Sequence, residues 1–377
     1  MVPLSSEDFV RMLKGCYIIF LAIYIAACTR PVHRQILESV EVNKKARSVV
    51  EWESASENPK SLFEKFRKEG KDNSELGADI CAGLRGLKGQ ELTLFESEIN
   101  RAENSSLLKS CREQLKIELE KYWLEQKELL QSTMNLNFQF QPRVEKRDLS
   151  KGYRAATGDV QPKELILTFD DGPDAELTPK ILSILKKVNA KVMFFPLGKQ
   201  IQMNPQTLSM MALEGHPIGS HSNSHRCLAN NPICTKANFG AALSSNEAIA
   251  EIRGGPQEGF HVLGYVEPFF RFPYGESDAA LAKYLADRQV AQMYWSIDST
   301  DWKAQSNPEL LANVLAQIDQ SQRGIVLFHD VQRRTLEVLP KFLRAIYDRG
   351  YTLVILQSLD ENARYNSQLV TKAPVLP

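Results

Sequence analysis

Two adjacent carboxylates, Asp170 and Asp171, stand between an apolar run and Gly172-Pro173. A Gly-Pro pair makes that turn rigid and points the two side chains in different directions. Further along, His221-Ser222-Asn223-Ser224-His225 sets two imidazoles four residues apart, a spacing that brings both to one side of a helical turn or tight loop. Arg271-Phe272-Pro273-Tyr274, Asp298-Ser299-Thr300-Asp301-Trp302 and His329-Asp330 complete the set. These are the residue types of metal and acid–base chemistry. Each has an ordinary reading when taken singly: a capped turn, two unrelated histidines, a loop arginine. Their conjunction is informative because each block follows a short apolar run.

Those runs are the elements that must position them. Strand-like pieces are expected at Leu165–Phe169, Val192–Phe195, Ile218–Ser220, Met293–Ile297, Ile325–Phe328 and Thr352–Ile355. Amphipathic helices are expected between them at Pro179–Val188, Pro205–Leu213, Asp278–Asp287, Pro308–Ile318 and Leu336–Tyr347. Repeated β-then-α units predict a parallel sheet, open or closed into a barrel, whose chemistry sits at the C-terminal strand ends. Ahead of them, Met134, Leu136, Phe138 and Phe140 alternate with polar residues, the pattern of a half-buried strand. Leu108, Cys111, Leu115, Leu119, Tyr122 and Leu129 share one helix face, and segments at Leu62–Phe66 and Leu92–Ile99 also read as helical. The expected organisation is therefore a leader over 1–28, a helical region over 29–131, an α/β domain over 132–360 and a tail over 361–377.

Composition narrows the classes. The chain has 377 residues, 43% hydrophobic and 24% charged, enough for two or three domains with a buried core. Lys+Arg 46 balance Asp+Glu 46, so no global field favours nucleic acid. One uncharged run, Gly15–Ala27, follows Arg11 and Lys14; it is too short to span a bilayer but fits a secretory signal. It ends in Ile25-Ala26-Ala27-Cys28, which resembles a bacterial lipobox with Cys28 as the lipidated residue, and Met12 would give a more compact start than Met1. Thr29 in place of Asp points to the outer membrane, facing the periplasm. Cys16 leaves with the signal, and the other four cysteines are expected as two bridges in an oxidising compartment, Cys81 with Cys111 and Cys227 with Cys234. His33, His216 and His261 fall outside the constellation and are read as structural.

Together the blocks resemble the polysaccharide deacetylases of carbohydrate esterase family four, whose motifs run TFDDGP, HSxxH or HTxxH, RxPY, DxxDW and LxH. Thr168–Pro173, His221–His225, Arg271–Tyr274, Asp298–Trp302 and Leu327–His329 match them in order. Pro196 after the Phe194-Phe195 pair and the Cys227–Cys234 loop depart from the usual pattern. The resemblance implies a distorted (β/α) barrel with fewer than eight repeats, preceded here by the small helical region. It implies a divalent metal held by Asp171, His221 and His225, zinc first, with cobalt, nickel or manganese as alternatives. Asp170 would be the general base, oriented by Arg271. His329 would be the acid, paired with Asp301 or, alternatively, Asp298. The Tyr274 backbone N–H would face the oxyanion, and Trp302 and Leu327 would form the acetyl pocket.

The expected function is hydrolytic removal of N-acetyl groups from an N-acetylhexosamine polymer, with release of acetate. Peptidoglycan N-acetylglucosamine is the first choice of substrate; poly-N-acetylglucosamine or a chitin-type polymer is the alternative. An inactive wall-binding module is the alternative from another class. The expected partners are an N-acetylated cell-wall polysaccharide and, through the lipid, a membrane. Neither a nucleic acid nor an identifiable protein partner is expected.

Overall fold

The computed structural model of the protein describes residues 109–371 apart from Phe239. The expected leader with Cys28, the early helical segments, His33 and the Cys81–Cys111 bridge lie outside the described residues and side chains. In chain order the elements are α1 (Lys109–Met134), β1 (Arg143–Arg147), β2 (Arg154–Ala155), β3 (Glu164–Asp170), α2 (Leu177–Lys187), β4 (Met193–Phe195), α3 (Gly198–Met203), α4 (Pro205–Leu213), α5 (Pro232–Ala237), α6 (Ser245–Leu263), β5 (Phe269–Phe270), α7 (Ala279–Ala286), β6 (Ala291–Met293), β7 (Ile297–Asp298), α8 (Asn307–Ser321), β8 (Gly324–His329), α9 (Arg333–Asp348), β9 (Thr352–Ser358) and α10 (Gln368–Thr371). The chain divides into two compact units, Met1–Tyr122 and Trp123–Pro377, and the division falls inside α1, whose helical period runs on to Met134. The second unit holds every motif.

All its ladders are parallel. Glu-Leu-Ile-Leu-Thr-Phe-Asp of β3 is almost wholly buried, the composition of a central parallel strand. One edge of β3 pairs with β8 from Leu165 to Asp170. Its other edge is shared: β9 pairs with its start and β4 with its end. From β4 the path continues through bridges Phe194↔Ile218 and Ser220↔Phe270 to β5 and β6, while β7 returns to β8. The circuit is a distorted (β/α) barrel with fewer than eight stations.

Strand alternation decides which side chains reach its interior. Leu165, Leu167 and Phe169 of β3, with Val326 and Phe328 of β8, belong to the outer core, where α2, α8 and α9 supply Ile181, Val314 and Phe342. Ile166, Ile325, Met193 and Phe195 form the inner cluster. Counting by two along each strand therefore puts Asp170 on the Ile166 face and His329 on the Ile325 face. Both project inward at the C-terminal end.

Four expectations require correction. Leu136, Phe138 and Phe140 are buried between exposed neighbours, but Met134 ends α1 and is exposed, and the segment forms no ladder among the described residues. It is an extended strap whose Phe140 N–H donates to Val188 O at 2.8 Å at the end of α2. The edge strand is instead β1, Arg-Val-Glu-Lys-Arg, whose charged residues suit an edge paired only with β9. Met293–Ile297 is two strands, because the backbone changes partner: Tyr294 N donates to Ala155 O and Ser296 N to Ile325 O. Ile218–Ser220 makes only single bridges. The long helix α6 was not expected, since Gly254-Gly255-Pro256 interrupts its pattern.

Candidate active site

The β3·β8 register places Asp170 directly opposite His329. Asp170 is buried, and its Oδ1 accepts from Arg271 Nη1 at 2.6 Å. Burial raises the Asp170 pKa to about 6, although the Arg271 charge pulls it down. Arg271 is wholly buried at the end of β5, where every arm is held. Its Nη1 also donates to Thr168 Oγ1, its Nε to Met293 O and its Nη2 to Tyr294 O. The guanidinium lies over the Phe195 ring, 4.3 Å from the centroid.

His329 is built with the opposite bias. Its Nδ1 lies 2.7 Å from Asp301 Oδ1, and its backbone N–H donates to Asp301 Oδ2 at 2.7 Å. Thr335 Oγ1 also donates to Asp301 Oδ2, so that buried carboxylate is fully engaged. Burial works against the imidazolium. The bond and charge of Asp301, with Asp171 and Asp170 behind it, outweigh burial and push the His329 pKa up to about 9. Asp298, the alternative partner, accepts from Thr300 N instead and closes the turn.

Beside Asp170 and His329 lies a three-residue cluster. Asp171 Oδ1 is 3.6 Å from His221 Nε2 and 3.5 Å from His225 Nε2. Ligand atoms of Asp171, His221 and His225 all lie within 4.8 Å of one another. His221 Nδ1 is 2.8 Å from Arg271 O, which can only accept, so the proton is on Nδ1 and the Nε2 lone pair faces the cluster. Burial, then the neighbouring His225, holds His221 well below the usual histidine range; burial also lowers His225. Asp171 Oδ1 is buried without a hydrogen-bond partner. An orphaned carboxylate oxygen facing two neutral imidazoles fits a divalent cation, with ligand positions to spare.

Loop geometry and a helix face hold these ligands. Asp171, Ser222, His225 and Tyr274 all have φ between 61° and 74°, a concentration of strained backbone typical of working sites. The His225 N–H donates to Ser222 Oγ. Glu251 of α6 accepts from Ser224 N at 2.8 Å and Ser224 Oγ at 2.6 Å. The His221–His225 loop also lies flat on α6: a Cβ on Gly254 would come 2.6 Å from Asn223 Cβ, and one on Gly255 2.5 Å from Ser222 O. Motif reading missed Glu251 and this glycine face, because Gly254-Gly255-Pro256 breaks the helical pattern and hides α6.

The remaining expected residues line the approaches. Tyr274 is half exposed, its ring 4.8 Å from that of His225. Leu327 is buried on the inward face of β8, two residues before His329, and Trp302, next to Asp301, is 56% exposed. Cys227 and Cys234 form a buried disulfide just beyond His225. His216 stays outside the cluster: its Nδ1 accepts from Val192 N, and burial takes its pKa down to about 3. His261 lies in the last turn of α6.

Comparison with known proteins agrees with this geometry. The sequence profile described as polysaccharide deacetylase matches residues 157–293. Over 214 residues the chain is 31% identical to a peptidoglycan-N-acetylglucosamine deacetylase of Bacillus cereus, covering 56% of this chain and 73% of that protein. It is also 31% identical over 205 residues to the peptidoglycan-N-acetylmuramic acid deacetylase PdaC of Bacillus subtilis, covering 54% of this chain but only 40% of that protein. A solved peptidoglycan deacetylase of Bdellovibrio bacteriovorus aligns at 39% identity with a TM-score of 0.60, over 92% of this chain and 100% of that one. The chain belongs to the polysaccharide deacetylase family and is a hydrolase of that family.

Proposed function

We propose that the protein removes N-acetyl groups from peptidoglycan, acting on N-acetylglucosamine and releasing acetate. One observation carries this reading: a buried carboxylate and a carboxylate-paired histidine face each other across a ladder, with the Asp171–His221–His225 cluster beside them. The names of the relatives support peptidoglycan as the polymer.

Asp171, His221 and His225 would hold a divalent metal, zinc by preference, which when bound would polarise the acetamide carbonyl and acidify a water. Asp170 takes a proton from the attacking water, and Arg271 keeps its oxygens aimed inward. His329, protonated at neutral pH, gives its Nε2 proton to the sugar nitrogen as the C–N bond breaks; Asp301 holds the resulting neutral ring in place. The Tyr274 backbone N–H would face the carbonyl oxygen as charge builds on it. Trp302 and Leu327 would enclose the acetyl methyl. The balance is one amide and one water giving one amine and one acetic acid. Export as a lipoprotein through Cys28, facing the periplasm, belongs to the same proposal and would bring the site to its polymer.

Acetate release from purified peptidoglycan and poly-N-acetylglucosamine, side by side and with and without chelator and added zinc, tests the proposal. Chelator-sensitive release from peptidoglycan is expected. Release only from the other polymer would overturn the substrate, and release from neither would overturn the deacetylase reading.

A further inference from the structure

Around the acid half of the site, Asp301, Asp298 and Glu337 are held by other groups, and Asp330, whose Oδ1 has no partner, is wholly buried. Asp301 is taken by His329 and Thr335, and Asp298 by Thr300 N. Glu337 accepts from Arg333 Nε at 3.1 Å and Asn307 Nδ2 at 2.8 Å, and Asp330 accepts from Thr178. Two cations on the same rim are not committed. Lys303 is exposed, with its Nζ 5.0 Å from the centroid of the Trp302 ring. Arg334, on the first turn of α9, donates Nη1 to Lys303 O at 2.7 Å. Among the described residues neither has a carboxylate partner.

This rim is tied to the catalytic histidine from both sides. Lys303 follows Asp301-Trp302, and Arg334 stands between Gln332, whose N–H bonds His329 O, and Thr335, which bonds Asp301. Arg334 is thereby fixed to the Lys303 main chain beside Trp302, and a cation without a carboxylate partner gains from an anion brought to it. Arg334 keeps its Nε and second Nη donors, the fork that recognises a carboxylate. The exposed Trp302 indole alongside offers a face for a sugar ring.

Resting on the deacetylase reading above, we propose that Lys303 and Arg334 form a carboxylate-binding subsite beside Trp302, which selects glycan strands carrying acidic substituents over neutral ones. Peptidoglycan carries such groups on its muramoyl side. Neutral N-acetylglucosamine polymers do not, and the amines exposed by their deacetylation would be repelled.

The test compares kcat/KM for peptide-free peptidoglycan strands, whose muramoyl carboxylates are free, with kcat/KM for chitotetraose, using the full chain loaded with zinc. Lys303→Met and Arg334→Met are expected to lower the acidic-to-neutral ratio about five-fold each. Lys303→Glu should lower it further, and Arg334→Lys should retain most of it. Added NaCl should lower the wild-type ratio as well. A ratio unchanged within about two-fold in Lys303→Met and Lys303→Glu, with no salt effect, would overturn the subsite while leaving the deacetylase reading standing. Wild-type protein that releases acetate from neither substrate would instead remove the reading on which the subsite rests.

Discussion

The two halves of the barrel that meet at the site are built differently. On one side β3 and β8 pair continuously from Leu165↔Gly324 to Asp170↔His329. On the other, β4 has three residues and β5 two, and Ile218–Ser220 makes only single bridges. The regular half carries Asp170 and His329, the proposed base and acid, whose separation must not drift. The irregular half carries both histidines of the cluster and the Tyr274 turn, held by loops in strained conformations and by α6. Registry positions Asp170 and His329; contacts to a neighbouring helix position the His221–His225 loop.

The largest effect should come from the regular half. Asp170→Asn and His329→Asn are each expected to lower kcat by ~10²–10⁴-fold, because each removes one proton-transfer group. Their stabilities should differ. Asparagine at 329 can still donate to Asp301, so melting should stay near that of wild type. Asparagine at 170 leaves the buried Arg271 charge uncompensated, so the protein should melt earlier. Steady-state rates and thermal melts check both, and turnover within three-fold of wild type in either variant removes that residue from proton transfer.

Next come substitutions on the irregular side. A Cβ on Gly255 would meet the Ser222 carbonyl at 2.5 Å, and backbone cannot easily yield. Gly255→Ala should weaken zinc or cobalt binding, read by competition with a chromophoric chelator, by about 10–100-fold. Glu251→Gln should do so less, since one of its two bonds to Ser224 can survive. Wild-type affinity in both variants would mean that the loop holds its shape without α6.

These contacts also mark where the sequence was legible. The five motif blocks stood out because strand ends expose their side chains to one mouth, so chemistry appears as ionisable residues after apolar runs. Asp170–Arg271 could be paired on charge logic, but for His329 that logic left Asp301 and Asp298 both open, and only the fold decides for Asp301. Glu251 could not: it lies 27 positions from Ser224, on a helix that Gly254-Gly255-Pro256 conceals. The strap at Leu136, Phe138 and Phe140 obeys the period of a strand because alternation reports burial of one face, not a ladder partner. For the same reason β1 was overlooked, since an edge strand needs no apolar face when charge protects it.

Within the regular half, Asp170 and His329 should also separate on a pH axis. In the proposed mechanism Asp170, with a pKa of about 6, acts ionised and His329, with a pKa of about 9, acts protonated. Activity is therefore expected to fall about ten-fold per unit below the first value and above the second, giving a bell. A bound cation favours ionised Asp170 and disfavours protonated His329, so in the metal-loaded enzyme the acid limb should lie at or below about 6 and the basic limb at or below about 9. Profiles of kcat/KM read both limbs. His329→Asn should lose the basic limb and keep the acidic one, whereas survival of the basic limb would assign it elsewhere.

The smallest effect is the sharpest comparison, because the same device occurs once in each half. Ser244 and Ser306 both close capping boxes, with Glu247 at the start of α6 and Glu309 at the start of α8. Removing either hydroxyl should cost about 1 kcal/mol of stability, so Ser244→Ala and Ser306→Ala should melt alike. Their functional consequences should not match. Helix α8 packs Leu310, Val314 and Ile318 into the outer core and bears no residue of the site, so its fraying should leave metal affinity untouched. Helix α6 presents Glu251 to Ser224 only two turns from its cap, so fraying there should loosen the His221–His225 loop and raise the metal dissociation constant two- to three-fold. Equal affinities in the two variants would mean that the ligand loop, like the β3·β8 ladder, carries its own rigidity, and the contrast between the halves would reduce to strand length.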